Sequence, residues 1–225
     1  MKSQNIFTIK ELADFLAIHD KVKNESVEYK LPVMDSDFST GLKLSAVDCS
    51  LQDSLLRAVD EDLDRVIHTN GMDFSLANLI NEDLIDLDLR VETRNQVLSK
   101  LARIAYINRL ATSYEELYIE LENREKLMST AIGQGIAIPH SRFPHRLLFR
   151  SAKLVIARSS LGVNFGAADG QKAHLFFMPC AQDTFTHVRM LAAIAKMLHI
   201  PGIKDQWMKA KNVGELKSLL AHWRV

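Results

Sequence analysis

The segment that ends at His140 is the part of the sequence best suited to chemistry. It reads Ile-Gly-Gln-Gly-Ile-Ala-Ile-Pro-His over residues 132–140. Its two glycines permit backbone geometry, and a close approach of another group, that a side chain would block. Residues 136–138 are typical of a short buried strand, and Pro139 ends the hydrogen-bonded ladder. We therefore expect His140 at a strand end, in an exposed loop that a second protein can reach.

An imidazole in such a position suits reversible phosphoryl carriage. Free imidazole titrates near pH ~6.5, so a neutral ring nitrogen is available to attack phosphorus at neutral pH. The transition state of phosphoryl transfer is loose, and the protein supplies positioning and charge compensation. Arg124 and Arg142 are the cationic candidates near His140. A histidine beside a proline is also a common structural feature, so the spacing leaves both interpretations open.

Helix starts and apolar spacing predict the elements around this segment. Residues 93–96 and 113–116 each begin a helix, because Thr or Ser is followed three residues later by Gln or Glu. The first helix has an apolar stripe made of Val97, Leu98, Leu101, Ile104, Ala105 and Ile107. Asp183 caps a long helix that ends before Pro201-Gly202, and a last amphipathic helix follows through Leu216, Leu219, Leu220 and Trp223.

Compact apolar runs predict the strands. Residues 154–157 and 175–178 have the length and flanks of buried strands, and residues 164–170 between them contain Asn, Gly and Asp-Gly turn signals. Strands mixed with helices predict an α/β fold with a mixed sheet flanked by helices.

Charge divides the chain into two modules. Residues 1–75 hold 8 Lys and Arg against 14 Asp and Glu, a net charge of −6, and residues 76–225 hold 20 against 14, a net charge of +6. We predict a small, mainly helical domain over residues 1–59, a linker over 60–75, and a larger domain over 76–225. An acidic first module disfavours binding to phosphate backbones, which requires clustered Lys and Arg.

The longer module resembles a known family over most of its length. The string over residues 124–140, Arg-Glu-Lys-Leu-Met-Ser-Thr-Ala-Ile-Gly-Gln-Gly-Ile-Ala-Ile-Pro-His, is similar to the active-site signature of type 2 EIIA domains of the phosphotransferase system. Residues 163–170, 175–179 and 186–192 resemble the turn, strand and helix that follow in that family. The resemblance covers the fructose, mannitol and nitrogen-regulatory group, and it implies the EIIA type 2 fold.

The same resemblance implies a role for each site residue. His140 would accept the phosphoryl group, and His187 would lie beside it to orient the ring or donate to the phosphoryl oxygens. Arg124 would offset the phosphate charge, and Thr130 would position His140 through its hydroxyl or backbone. Arg142 is not part of the signature, and we expect it to contribute to partner docking because it lies two residues from His140.

The amino-terminal residues resemble a second family. Thr-Ile-Lys-Glu-Leu-Ala-Asp-Phe-Leu-Ala-Ile over residues 8–18 is similar to the first helix and turn of excisionase/MerR-like winged helix-turn-helix domains. The corresponding recognition segment, residues 20–28, has no arginine, and the wing region, residues 33–44, has one cation. Base and phosphate contacts require such groups. We therefore expect an interaction module that has lost DNA binding, with DNA binding through residues 8–45 kept as the alternative.

Three functions follow from these resemblances. The first is a regulatory phosphotransferase that accepts a phosphoryl group on His140 from an HPr/NPr-type phosphocarrier and signals to a regulated target protein. The second is a sugar-transport EIIA that passes the group to a separate EIIB. The third is a DNA-binding regulator whose EIIA domain senses phosphorylation.

The composition excludes other classes of protein. Cys49 and Cys180 have no metal-ligand spacing, so we expect no metal, no cofactor and no disulfide. No apolar run reaches the roughly 18 residues that span a bilayer, and the first residues lack a signal-peptide pattern. We therefore expect no membrane insertion and a cytoplasmic location.

Overall fold

The structure is a computed structural model that describes residues 75–142 and 147–221. The described chain begins with two short 3-10 turns, Leu76–Leu79 and Glu82–Leu84. The strands are β1 (Ile85–Asp86), β2 (Ala131–Gly133), β3 (Ile136–Ala137), β4 (Lys153–Val163) and β5 (Ala173–Cys180). The helices are α1 (Arg94–Ile107), α2 (Tyr114–Leu127), α3 (Thr184–Leu198), α4 (Ile203–Lys209) and α5 (Val213–Ala221).

The five strands form one mixed sheet in the order β1-β4-β5-β3-β2. The β1–β4 and β5–β3 pairs are parallel, and the β4–β5 and β3–β2 pairs are antiparallel. Ile136 in β3 pairs with Leu175 in β5, which places the segment before His140 beside the long β4–β5 ladder. The predicted α/β fold with a mixed sheet and flanking helices is confirmed.

The helix starts follow the capping signals in the sequence. Thr93 accepts a hydrogen bond from the Gln96 backbone, and Gln96 reaches back to the Thr93 backbone, which completes a capping box for α1. Ser113 and Asp183 accept hydrogen bonds from backbone amides three residues later and so begin α2 and α3. Each prediction of a helix start at these positions is confirmed.

Apolar side chains from the helices and both long strands form the core. Leu98, Leu101, Leu117 and Phe176 are essentially inaccessible to solvent and belong to one continuous cluster. The predicted stripe on α1 is largely confirmed, but Ile107 is exposed. Its position at the last residue of α1 carries it past the edge of the core.

Some elements differ in extent from the predictions. β4 runs to Val163 rather than ending at residue 157, because its pairing with β5 resumes at Val163–Ala173 after an irregularity. α4 was not predicted. The predictions for residues 1–59, for the linker up to residue 74 and for Trp223 lie outside the described residues. Within the described ranges, no helix combines the length and apolar character needed to cross a membrane.

Candidate active site

His140 lies just beyond the end of β3. The strand ends at Ala137, and Pro139 separates it from His140. The turn between β2 and β3 passes through three residues with positive φ: Gly133 at 87°, Gln134 at 50° and Gly135 at 78°. The non-glycine member, Gln134, is held by a hydrogen bond of 2.7 Å from its backbone N to Oδ2 of Asp169. The turn is thereby tied to the loop between β4 and β5.

The two ring nitrogens of His140 have different partners. Nδ1 lies 2.7 Å from the carbonyl oxygen of Ile138. Since a carbonyl oxygen only accepts, Nδ1 carries the proton and donates it. Nε2 accepts a hydrogen bond of 3.2 Å from Nε of Arg124. The contacts therefore define a neutral tautomer whose lone pair is on Nε2.

Arg124 belongs to the last turn of α2 and is 5% exposed. Besides donating to His140, it donates from Nη1 to the carbonyl oxygen of Met128 at 2.9 Å. Burial lowers the pKa of Arg124, the neighbouring carboxylate of Glu125 opposes this change, and the charge of Arg142 adds to it. A guanidinium keeps its charge despite such a shift, so Arg124 places a fixed, partly desolvated cation against the ring.

His187 is the second histidine brought to the site. It lies in the first turn of α3, is fully buried, and has its ring centroid 5.4 Å from that of His140 with 48° between the ring planes. The Asp183 cap fixes the start of α3 and hence the direction of this side chain. The structure therefore brings His140, Arg124 and His187 together.

Thr130 lies one contact away from the ring. Its hydroxyl donates to Oε2 of Glu125 at 2.6 Å, and its carbonyl oxygen accepts from the backbone N of Ile138 at 2.9 Å. A hydroxyl or a backbone contact from Thr130 was expected to position His140. The backbone contact is present, but it reaches His140 only through Ile138.

Glu125 is a buried part of the site that sequence reasoning missed. It is 3% exposed and accepts from the Thr130 backbone N at 3.0 Å as well as from the hydroxyl. Burial raises the pKa of Glu125, while hydrogen bonds from Thr130 and Ser129 and the charge of Arg94 oppose the shift. Its adjacency to Arg124 in the signature string was the available signal.

Arg142 is exposed, two residues beyond His140. It lies close enough to Arg124 for its charge to lower the Arg124 pKa. Exposed apolar side chains lie on the same part of the molecule: Met128, whose carbonyl binds Arg124, is 49% exposed and its neighbour Leu127 is 64% exposed. The exposed side chains of Arg142, Leu127 and Met128 therefore lie in the part of the molecule that holds Arg124.

The expectation that His140 is exposed is wrong. Only 4% of the residue is accessible, because Arg124 covers Nε2 and His187 packs near the ring. The following residue, Ser141, is 1% exposed, and no residue in the described ranges forms a hydrogen bond with its Oγ. The acceptor nitrogen is thus shielded by its own cationic neighbour.

Comparison with protein families identifies the longer module. The family described as "Phosphoenolpyruvate-dependent sugar phosphotransferase system, EIIA 2" matches residues 78–223. This range contains His140, His187 and the other site residues described above.

Individual relatives fall into regulatory and transport proteins. The nitrogen regulatory protein of Bradyrhizobium diazoefficiens is 30% identical over 151 residues, which are 65% of this chain and 94% of the relative. That of Klebsiella oxytoca is 29% identical over 153 residues, 67% of this chain and 93% of the relative. The fructose-specific EIIABC component of Bacillus subtilis is 27% identical over 61% of this chain, which spans only 21% of that protein.

Solved structures share the fold. The nitrogen regulatory protein IIA-Ntr of Neisseria meningitidis superposes with a TM-score of 0.58 at 25% identity, covering 64% of this chain and 98% of that one. IIA mannitol of Escherichia coli gives 0.55 at 20% identity, covering 63% and 98%. With the family match over residues 78–223, the sheet order and the assembled histidine site, the chain belongs to the type 2 EIIA family of the phosphoenolpyruvate-dependent sugar phosphotransferase system.

Proposed function

We propose that the chain is a phosphocarrier that accepts a phosphoryl group on Nε2 of His140. The observation that carries this proposal is the pair of ring contacts, with Nδ1 donating to Ile138 and Nε2 accepting from Arg124. This arrangement leaves one nucleophilic lone pair and places a cation where the phosphoryl charge arrives.

The transfer step follows from these contacts. The Nε2 lone pair attacks the phosphorus of a phosphohistidine on the donor protein, and the donor N–P bond breaks with its electron pair returning to the donor ring. The new N–P bond forms on His140, while the Nδ1 proton stays with the Ile138 carbonyl oxygen, which stabilises positive charge on the ring.

Arg124 has two tasks in succession. Because it occupies Nε2 before transfer, its guanidinium moves off the nitrogen as the phosphoryl group approaches and then binds the phosphoryl oxygens. Arginine suits this exchange because its fork of donors matches phosphate geometry. His187, at 5.4 Å between ring centroids, is placed to donate to the same oxygens.

The proposal also names the protein that donates the phosphoryl group and the use to which the group is put. We assign the donor to an HPr/NPr-type phosphocarrier, docked on Arg142 and the apolar residues Leu127 and Met128. This chain covers 94% and 93% of the length of two relatives called nitrogen regulatory proteins. These relatives favour a regulatory use, in which the phosphorylation state signals to a target protein in the cytoplasm.

Transfer to a separate EIIB is the second candidate. The sugar-specific relatives favour it, and a solved complex pairs the IIA mannitol domain of Escherichia coli with its phosphorylated IIB partner. The two candidates share the chemistry at His140 and differ in the acceptor, so adding an EIIB domain to the phosphorylated chain separates them.

The experiment for the shared chemistry is label transfer from a phosphorylated HPr-type protein to the full chain. The wild type is expected to take up label and His140→Ala to take up none. His199→Gln is the matched control, because His199 caps the end of α3 away from the site and bonds to the Ala195 carbonyl. Persistent labelling of His140→Ala would contradict the proposal.

A further inference from the structure

A buried carboxylate lies directly beside the cation of the site. Glu125 follows Arg124 in the last turn of α2 and is 3% exposed. Its oxygens accept three contacts from Thr130: the backbone N at 3.0 and 3.2 Å and the hydroxyl at 2.6 Å. These three hydrogen bonds hold residue 130 against the end of α2.

A continuous path of hydrogen bonds leads from Glu125 to the ring. The Thr130 carbonyl oxygen accepts from the Ile138 backbone N at 2.9 Å, and the Ile138 carbonyl oxygen accepts from Nδ1 of His140 at 2.7 Å. Thr130 and Ile138 each link two successive contacts, one through the backbone N–H and one through the carbonyl oxygen. Glu125 is therefore linked to the Nδ1 side of the ring, while its neighbour Arg124 binds the Nε2 side.

We propose that Glu125 is a positioning residue for the phosphoryl acceptor. It holds Thr130, and through it the Ile138 carbonyl, so that His140 carries its proton on Nδ1 and keeps its lone pair on Nε2. This inference rests on the proposed function. It adds one residue to the site and gives a physical reason why Nε2 of His140, rather than Nδ1, reacts.

The cost of burying Glu125 supports a positioning role. Burial raises its pKa, so the carboxylate is held in an environment that disfavours its charge. The facing cation, Nη1 of Arg94, lies at 3.9 Å and belongs to a side chain that is 39% exposed, so it compensates only in part. An apolar residue would avoid this cost, but it could not accept from Thr130.

The test uses three variants and one control. Glu125→Gln keeps an oxygen acceptor for the Thr130 amide, and Glu125→Ala removes all three contacts. Thr130→Val is nearly isosteric and removes only the hydroxyl contact. Glu122→Gln is the control, because Glu122 is on the same helix and pairs with Lys126 at 2.8 Å at the surface.

Two readouts separate this inference from the proposed function. The ¹⁵N shifts of the His140 ring report the tautomer without any phosphate, and single-turnover labelling by a phosphorylated HPr-type protein reports transfer. We expect the wild type, Glu125→Gln and Glu122→Gln to show protonated Nδ1. We expect Glu125→Ala to show exchange between tautomers and a rate lower by roughly 10- to 100-fold, with Thr130→Val changed in the same direction by less.

The outcomes are distinguishable. A wild-type ring protonated on Nε2, or an alanine variant with the wild-type tautomer and rate, would overturn the positioning role. If the alanine variant does not fold, Thr130→Val decides in the same way. A tautomer that responds to these variants in a chain that never accepts phosphate would uphold the positioning role and refute the proposed function.

Discussion

His140 uses its two ring nitrogens for opposite purposes. Nδ1 donates a hydrogen bond to the backbone carbonyl of Ile138, just beyond the end of β3, and Nε2 presents its lone pair to a buried guanidinium. The partner of Nδ1 is a backbone group, so side-chain substitutions act on this contact only indirectly, whereas the guanidinium contact is exchanged during transfer in the proposed mechanism. We therefore expect Arg124 to affect the rate of transfer more than any other side chain that contacts the ring.

Replacement of Arg124 should slow transfer without unfolding the domain. Arg124→Ala removes the donor to Nε2 and the cation for the phosphoryl oxygens, and we expect a rate loss of about 100-fold. Arg124→Lys keeps a charge but cannot bind Nε2 and the Met128 carbonyl together, so an intermediate loss is expected. Rapid-quench labelling measures both variants.

The matched control for these variants is Arg103→Ala, which removes an exposed arginine from α1. It should transfer at the wild-type rate. An Arg124→Ala rate equal to that of Arg103→Ala would show that the buried guanidinium has no part in transfer.

Ser141 offers a stability prediction beside the acceptor. Its buried Oγ has no hydrogen-bond partner in residues 75–142 and 147–221. An unsatisfied hydroxyl contributes nothing favourable when buried, so Ser141→Ala should be neutral or stabilising by up to about 1 kcal/mol. Ser99→Ala, which breaks a 3.0 Å contact with the Tyr114 hydroxyl, should cost about 1 kcal/mol.

Urea unfolding of both serine variants measures these free energies. A larger loss of stability for Ser141→Ala than for Ser99→Ala would show that the Ser141 hydroxyl is satisfied in the folded protein.

Two stretches of sequence pointed to most residues of the candidate site, and neither pointed to their burial. The signature over residues 124–140, with the Thr-His pair at 186–187, pointed to His140, Arg124, His187 and Thr130. It carried no information on exposure, because the cover over Nε2 comes from a helix end 16 residues away in sequence. The burial of Glu125 was not predicted either, since an acid beside an arginine on a helix usually faces solvent.

At the scale of secondary-structure elements, the β4–β5 pair depends on the close approach of Gly162 to the ring of His174. Gly162 has φ of 66°, and a Cβ at this position would lie 2.5 Å from Cε1 of His174. The His174 ring is fixed by a 3.0 Å hydrogen bond between Nδ1 and the Ser159 carbonyl oxygen. The irregularity in the ladder between Arg158 and Val163 is where the glycine and this ring meet. His174 is thus a structural residue of the strand pair.

Two glycine substitutions separate steric from conformational effects. Gly170 has a similar φ of 69°, but a methyl group added there would have no atom within 4 Å. Gly170→Ala should therefore cost about 1 kcal/mol from left-handed strain. Gly162→Ala should cost at least about 2 kcal/mol, because the His174 ring must also move. Equal losses in urea unfolding would contradict the close approach.

Capping residues in the sequence predicted the helices that they begin. Other elements depend on contacts between residues that are distant in the sequence. The starts of α1, α2 and α3 were readable because Thr93, Ser113 and Asp183 act within one turn of chain. The short helix α4 depends instead on Arg158 in β4, whose Nη1 donates to the carbonyl oxygens of Trp207, Met208 and Ala210. Such a contact between distant segments leaves no periodic pattern in the sequence.

At the scale of the whole molecule, the two proposed modules differ in net charge, which suggests different functions for them. The division into residues 1–59, 60–75 and 76–225 remains a proposal, as does an interaction role for the acidic first module. The second module is positive by six charges, and phosphorylation adds close to two negative charges at the site. We therefore expect a partner protein that reads the phosphorylation state to bind the two forms with different affinity, which titration of both forms measures.

The position of the phosphoryl group on the intact chain decides whether His140 is the acceptor. The full-length protein is phosphorylated by an HPr-type donor and digested at neutral to basic pH, which preserves phosphohistidine, and the peptides are fragmented by electron transfer in a mass spectrometer. We expect phosphate on His140 and on no other residue. Phosphate on His187 or on any other side chain, with His140 unmodified, would refute the proposed acceptor.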